Sequence, residues 1–254
     1  MSADSTITTT AQHSSWVKWT HWIGTISFLL LVISGSEILM VHPRLYWGNV
    51  GNDLTPAWIE LPISRNYHHG GWEERKTFFN DPAGPVSESR TFRTFNHNSW
   101  GRSLHFLAGW VLVATGAVYL LAGISSGHFR RHLLPRVKEL RPRAIWMEAI
   151  EHMRLRIRPA AGAPDYGILQ KCAYSGVVFF GLPGIVLSGL AMSPAITAAH
   201  PGLLKLWGGY QSARSIHFLL AAALLVFTAG HVTLVIKSGF RKQLRGMTLG
   251  KKAL

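Results

Sequence analysis

The sequence of 254 residues contains one cysteine, Cys172. A lone thiol forms no internal disulfide, and an iron–sulfur cluster needs several thiolates. The chain by itself therefore carries neither. No C-x-x-C-H occurs, which excludes a covalently attached c-type haem. Acidic residues are scarce, 12 against 26 Lys and Arg, for a formal net charge of +14. Charged residues of both signs reach only 15% of the chain, against about 25% in ordinary soluble domains. A basic balance can mark a nucleic-acid binder. Here the basic residues flank apolar runs instead of forming one stripe, and no RNA-binding motif or zinc-finger spacing is present. No nucleic-acid partner is expected.

Four apolar runs, at approximately 22–41, 104–124, 172–192 and 216–236, are long enough to cross a bilayer, which takes about 20 residues. The expected fold is an all-α integral membrane protein: a single domain made of a four-helix transmembrane bundle. No small-residue cleavage site follows the first run, so it reads as a retained span and not a signal peptide. Pro183-Gly184 predicts a kink within the third span.

Orientation follows from Lys and Arg placement. Residues 126–171 hold Arg130, Arg131, Arg136, Lys138, Arg141, Arg143, Arg154, Arg156, Arg158 and Lys171, and the tail adds Lys237, Arg241, Lys242 and Arg245. The stretch between the last two spans has only Lys205 and Arg214, and residues 42–99 nearly balance their charges. This pattern predicts a multi-pass protein of the bacterial inner membrane, with both termini and the basic loop 126–171 cytoplasmic. The loop 42–99 then lies outside. Within the basic loop, Ala144 to Ile157 reads either as an interfacial helix or as a mobile loop.

Of 13 histidines, most lie in loops and read as solvated. Four belong to the apolar runs: His21 opens the first, His105 opens the second, and His217 and His231 lie on the fourth. An ionisable group in a span is costly and points to function. His217 and His231 are 14 residues apart, nearly four turns, which sets them on almost one helix face about 21 Å apart along the axis. Spans two and four both start outside, so His105 shares the outer level with His217. His21 shares the inner level with His231. Each pair is able to give two axial nitrogens to one haem iron. Bis-imidazole ligation leaves no open position and suits electron transfer. His97 is an alternative ligand near the second span.

A motif repeats at the outer pair. Arg102-Ser103-Leu104-His105-Phe106 is matched by Arg214-Ser215-Ile216-His217-Phe218. An arginine three residues before a histidine shares its helix face, and guanidinium matches carboxylate geometry. Arg102 and Arg214 are thus candidates to pair with haem propionates. Glycines recur near these sites (Gly35, Gly109, Gly116, Gly184, Gly189), where helix packing or a flat macrocycle explains them equally well.

With these residues in view, the chain resembles the four-helix di-haem cytochrome b superfamily. That group includes the b-type subunits of nickel–iron hydrogenases and the gamma subunit of formate dehydrogenase. The thiosulfate-reductase-type cytochrome b subunits are the most similar branch. The resemblance rests on Thr20-His21-Trp22, Ser34-Gly35, His42-Pro43-Arg44-Leu45-Tyr46-Trp47-Gly48, Trp100 to Phe106, Leu190-Ala191-Met192-Ser193-Pro194, Gln211 to Phe218, His231 and Arg245-Gly246-Met247. It implies two non-covalent haem b groups held by His21, His105, His217 and His231, in the pairing drawn above. It also implies electron exchange between the quinone pool and a periplasmic redox subunit, with quinone meeting the inner haem. Lys18, Trp19 and Trp22 are candidates near that point.

The loop 42–99 is long and rich in aromatic residues, which argues against plain disorder. It is expected to form an ordered cap that docks a molybdopterin, iron–sulfur or cytochrome c partner. An electron-transfer subunit of an oxidoreductase complex is therefore favoured over a self-sufficient enzyme. The competing reading is a stand-alone quinone-dependent reductase or superoxide oxidase of the same fold. A transporter using the histidines as relays would carry more acids in its spans than Glu37.

Overall fold

The computed structural model describes residues 13–52, 55–63, 98–153 and 167–248. Four helices cross the membrane: α1 (Ser15–Val41), α2 (Asn98–Ser125), the α4–α5 span (Ile168–Ala191) and α8 (Tyr210–Lys237). The chain is an all-α multi-pass membrane protein. At 1.5 Å per residue, even the shortest span exceeds the roughly 30 Å hydrocarbon layer. Helices are forced here because every backbone N–H and C=O in lipid must be satisfied within the segment.

Each helix extends beyond its apolar run. α2 starts at Asn98 and α8 at Tyr210, six residues before each run. Backbone pairing continues into polar sequence once a turn exists, so hydropathy alone marks the ends short. The third span is α4 (Ile168–Gly176), a π-helical turn at Val177–Gly181, then α5 (Leu182–Ala191). Pro183 has no N–H, and its ring would strike the carbonyl four residues back. The wider turn absorbs that defect, where a kink was expected.

The connections are more structured than their sequence suggests. A two-residue antiparallel pair, β1 (Arg44–Leu45) with β2 (Ile59–Glu60), closes the segment after α1. Of the two readings of Ala144 to Ile157, a helix is present as α3 (Pro142–Met153), and residues 154–157 lie outside the described residues. Two short helices, α6 (Pro194–Ala199) and α7 (Pro201–Leu206), lead to α8, and α9 (Phe240–Met247) follows it. Of the expected cap, 42–52 and 55–63 are described, whereas 64–97, including His97, lie outside the described residues.

The contacts divide the chain into two units. The first comprises Met1–Trp22, Ala117–Val178 and Leu225–Leu254, and the second Ile23–Gly116 and Phe179–Leu224. In the second unit small and polar side chains are buried: Ser27, Ser34, Glu37, Ser188, Ser212 and Ser215. Ile26, Leu29, Ile33, Trp110 and Leu187 are exposed. That inversion is how helices pack in lipid, with small residues between them and apolar ones outward. The segment after α1 is sewn to the start of α8 in the same unit. The Ser215 hydroxyl donates to the Tyr46 carbonyl (2.6 Å) and accepts from Trp58 Nε1 (3.1 Å). Gly48 N–H donates to Ser212 Oγ (2.7 Å), and Gln211 N–H to the Gly48 carbonyl (2.9 Å).

In the first unit the basic connection is held to the α4 end. Lys171 Nζ reaches both Glu139 oxygens (3.1 and 3.0 Å), Ser175 Oγ donates to the Leu133 carbonyl (3.1 Å), and Glu148 caps α4 at the Ile168 N–H (2.9 Å). Trp22 Nε1 donates to the Met247 carbonyl (3.1 Å), tying α9 to α1. His128, read as a solvated loop residue, is half-buried against the Trp16 ring at 5.2 Å.

Two predictions follow from these contacts. Gly209 has φ +112°, and a Cβ there would lie 2.6 Å from the Gly48 carbonyl oxygen. Gly209→Ala is expected to cost about 2 kcal/mol or more, because both strain and overlap fall on backbone. Denaturation that matches the wild type would refute this. The Lys171 ammonium and the Arg136 N–H hold the Glu139 carboxyl below its usual range. A carboxylate pKa depressed by folding stabilises fully above the unfolded value, about 4.3, and that stabilisation fades as pH falls through the lowered one. Glu139→Gln should lower the melting temperature by about 2–4 °C at pH 7. The gap should close in acid; a gap independent of pH would contradict the assignment.

Candidate functional site

The four membrane histidines form two pairs, one within each unit. His105 and His217 have ring centroids 6.1 Å apart, and His21 and His231 have centroids 6.4 Å apart. A metal–imidazole bond runs about 2.0–2.1 Å, and a ring centroid sits about 1.2 Å beyond its nitrogen, so imidazoles on opposite sides of one metal have centroids roughly 6.4 Å apart. Both spacings match that arrangement. Among the described residues no third His, Cys, Asp or Glu joins either pair. A metal held there must bring its own equatorial ligands, as the four nitrogens of a tetrapyrrole do.

The second unit shows how its imidazoles are oriented. Ser34 on α1 donates its hydroxyl hydrogen to the Leu30 carbonyl (2.7 Å), and Ser188 on α5 donates to the Gly184 carbonyl (2.8 Å). Each hydroxyl oxygen keeps a lone pair, which faces an imidazole: Ser34 Oγ to His105 Nδ1 is 3.0 Å and Ser188 Oγ to His217 Nδ1 is 3.1 Å. The Ile185 carbonyl lies 3.0 Å from the same His217 nitrogen. A carbonyl only accepts, and each serine hydrogen is committed to its own helix, so the proton is on Nδ1 in both rings and Nε2 keeps the lone pair a metal requires.

The residue after each serine completes the cradle. A Cβ on Gly35 would lie 3.5 Å from His105 Cε1, and one on Gly189 would lie 3.3 Å from His217 Cε1. At Gly189 the added Cβ would crowd the ring, whereas at Gly35 it would meet the ring at ordinary van der Waals distance. The sequence reading left these glycines between packing and cofactor contact, and did not single out Ser34 or Ser188 as partners. The available signal was the Ser-Gly dipeptide occurring in spans one and three, parallel to the Arg-Ser-x-His-Phe repeat in spans two and four.

The first unit is built differently. His231 lies between Phe227, stacked at 6.1 Å, and Tyr174, edge-on at 6.1 Å, while Trp22 stands edge-on to His21 at 5.4 Å. The Nδ1 of His231 is buried without a hydrogen-bond partner. Aromatic walls of this kind suit a flat apolar macrocycle.

The two candidate arginines diverge. Arg214 is half-buried and donates through Nη2 to the carbonyls of Arg44 and His42, the latter at 3.3 Å. Arg102 is exposed at the start of α2. The motif therefore repeats in sequence but not in surroundings: Ser215 is fully buried and Ser103 is exposed.

Spanning helices that bring histidines together in pairs have the arrangement of a b-type cytochrome of the membrane, an electron-transfer protein. The chain belongs to the prokaryotic cytochrome b561 family, whose model matches residues 12–250. That membership carries haem b as the cofactor class. The chain is also 28% identical over 225 residues to a putative protein-methionine-sulfoxide reductase subunit, YedZ1, of Azospira oryzae, covering 89% of this chain and 90% of the relative. No solved structure matches the chain.

The cradle is directly testable. A valine at Gly189 must push His217 off the α5 backbone, so Gly189→Val should purify with clearly less haem than the wild type. Gly202→Ala, where nothing lies within 4 Å of the added Cβ, is the control. Equal haem in both would show that the glycine does not seat the ring.

Proposed function

We propose that this chain is the membrane electron-transfer subunit of a reductase complex, holding two haem b groups and carrying electrons from the quinone pool to a periplasmic partner. The observation that supports this most is the pair of imidazole pairs, each spaced for one metal, with one member of each pair on the unbroken helix α8. His105 and His217 would hold one haem, and His21 and His231 the other. When bound, each haem supplies a one-electron iron(III)/iron(II) couple.

The chain's own residues set how that couple is used. Two imidazoles on one iron exclude water and oxygen from the metal, which favours electron transfer over oxygen chemistry. Ser34 and Ser188 fix the tautomers, and Gly35 and Gly189 allow the rings to approach. Arg214 has N–H groups beyond the Nη2 that binds the Arg44 and His42 carbonyls. It and Arg102 would pair with propionates at their end of the helices.

The basic residues of 126–171 and of the tail support a cytoplasmic position for that side, on the Lys and Arg rule. The segment after α1 then faces the periplasm of a bacterial inner membrane. There the Trp47 and Trp58 rings stack at 5.3 Å and stay 52% and 39% exposed, a surface suited to a docking protein. The partner is read as a catalytic reductase subunit, molybdopterin-, iron–sulfur- or cytochrome c-type. If this chain serves the reaction that its Azospira relative is named for, the final acceptor is methionine sulfoxide in a protein. Its reduction takes two electrons and two protons and gives methionine and water. Two one-electron haems hold both electrons.

The reduced-minus-oxidised spectrum of the purified chain, with haem quantified per protein, should show two b haems. His231→Ala should lose one and keep the other. Absence of haem contradicts the proposal, and loss of both or neither from a folded variant contradicts the pairing.

A further inference from the structure

The His105–His217 pair differs from His231 of the other pair in what the Nδ1 atoms meet. Both rings of the first pair donate to a fully buried serine hydroxyl whose own hydrogen is committed to its helix. In the second pair, the His231 Nδ1 is buried with no partner. A hydrogen bond donated from Nδ1–H leaves more electron density on Nε2 and makes the imidazole a stronger donor to the metal. Stronger donation stabilises iron(III) more than iron(II), and second-shell hydrogen bonding is one of the few levers a protein has on haem potential.

We infer that Ser34 and Ser188 are positioning residues that lower the reduction potential of the haem held by His105 and His217, making that haem a stronger reductant for whatever accepts its electrons. The inference rests on the ligand pairing proposed above. It adds what that pairing does not require, namely that two serines remote from the metal set the driving force at one end of the wire. The two arms are built alike. Each serine bonds the carbonyl four residues back, and each is followed by a glycine against the imidazole Cε1. Their effects on one iron should therefore be similar and should add.

Aspartate or glutamate commonly accepts the Nδ1–H in metal sites, but a carboxylate inside a span is expensive. A serine bonded to its own helix gives a neutral acceptor at little cost. The back-bond explains why each hydroxyl accepts from histidine rather than donating to it.

Potentiometric titration of the purified, haem-loaded full chain tests this. S34A and S188A each remove one acceptor and almost no volume. Each should shift the wave of the His105–His217 haem upward, raising the ratio of reduced to oxidised haem at fixed potential about threefold, where tenfold is about 59 mV for one electron. The double variant should shift that wave by about the sum, and the other wave should stay. S34C and S188C, with a weaker acceptor, should fall between. The wave is assigned with His231→Ala, which leaves the affected haem alone. Unshifted potentials in variants that keep both haems, or a shift confined to the other wave, would overturn the inference. Absence of haem from the wild type would instead defeat the pairing itself.

Discussion

A neutral imidazole inside a membrane span has two nitrogens to satisfy and no water to satisfy them. In the second unit this is solved from one side only. The Nδ1–H of His105 and of His217 is given to a serine oxygen, and for His217 also to the Ile185 carbonyl. Nε2 of each ring then carries the lone pair that a metal requires. The local sequence follows this arrangement: serine where the N–H ends, and glycine where the ring meets the backbone.

The same requirement accounts for the pairing of α1 with α2 and of α5 with α8. Ser34-Gly35 faces His105, and Ser188-Gly189 faces His217, so two copies of one device approach a common centre. Outside that centre the copies part. The segment after α1 attaches to the second copy through Arg214, Ser215, Ser212 and Gln211. That end of α8 becomes the anchor for the exposed Trp47–Trp58 stack, whereas Arg102 is exposed.

Much of this was legible in the sequence, for a physical reason. A membrane allows few backbone solutions, so four apolar runs meant four helices. Histidine is too costly in a span to be incidental, so the four chosen residues came together in the expected pairs. Helix ends were less legible, because Tyr210-Gln211-Ser212 is polar yet continues the backbone ladder. The π turn before Pro183 and the short helices α6 and α7 leave no periodic signal at that length. Ser34 and Ser188 were hidden because a serine in a span normally bonds its own helix, as both do. Only the tertiary structure shows the second lone pair in use. Arg214 could be placed near the outer pair, but its bonds to the Arg44 and His42 carbonyls depend on a turn no pattern announces.

The central claim is that each imidazole pair holds one metal from both sides. Electron paramagnetic resonance of the oxidised, purified chain tests it most directly, since two strong axial nitrogens force ferric iron into the low-spin state. The account predicts two overlapping low-spin ferric signals and no substantial high-spin component. A dominant high-spin signal would mean an iron with one axial protein ligand, and would contradict the paired geometry on which the rest is built.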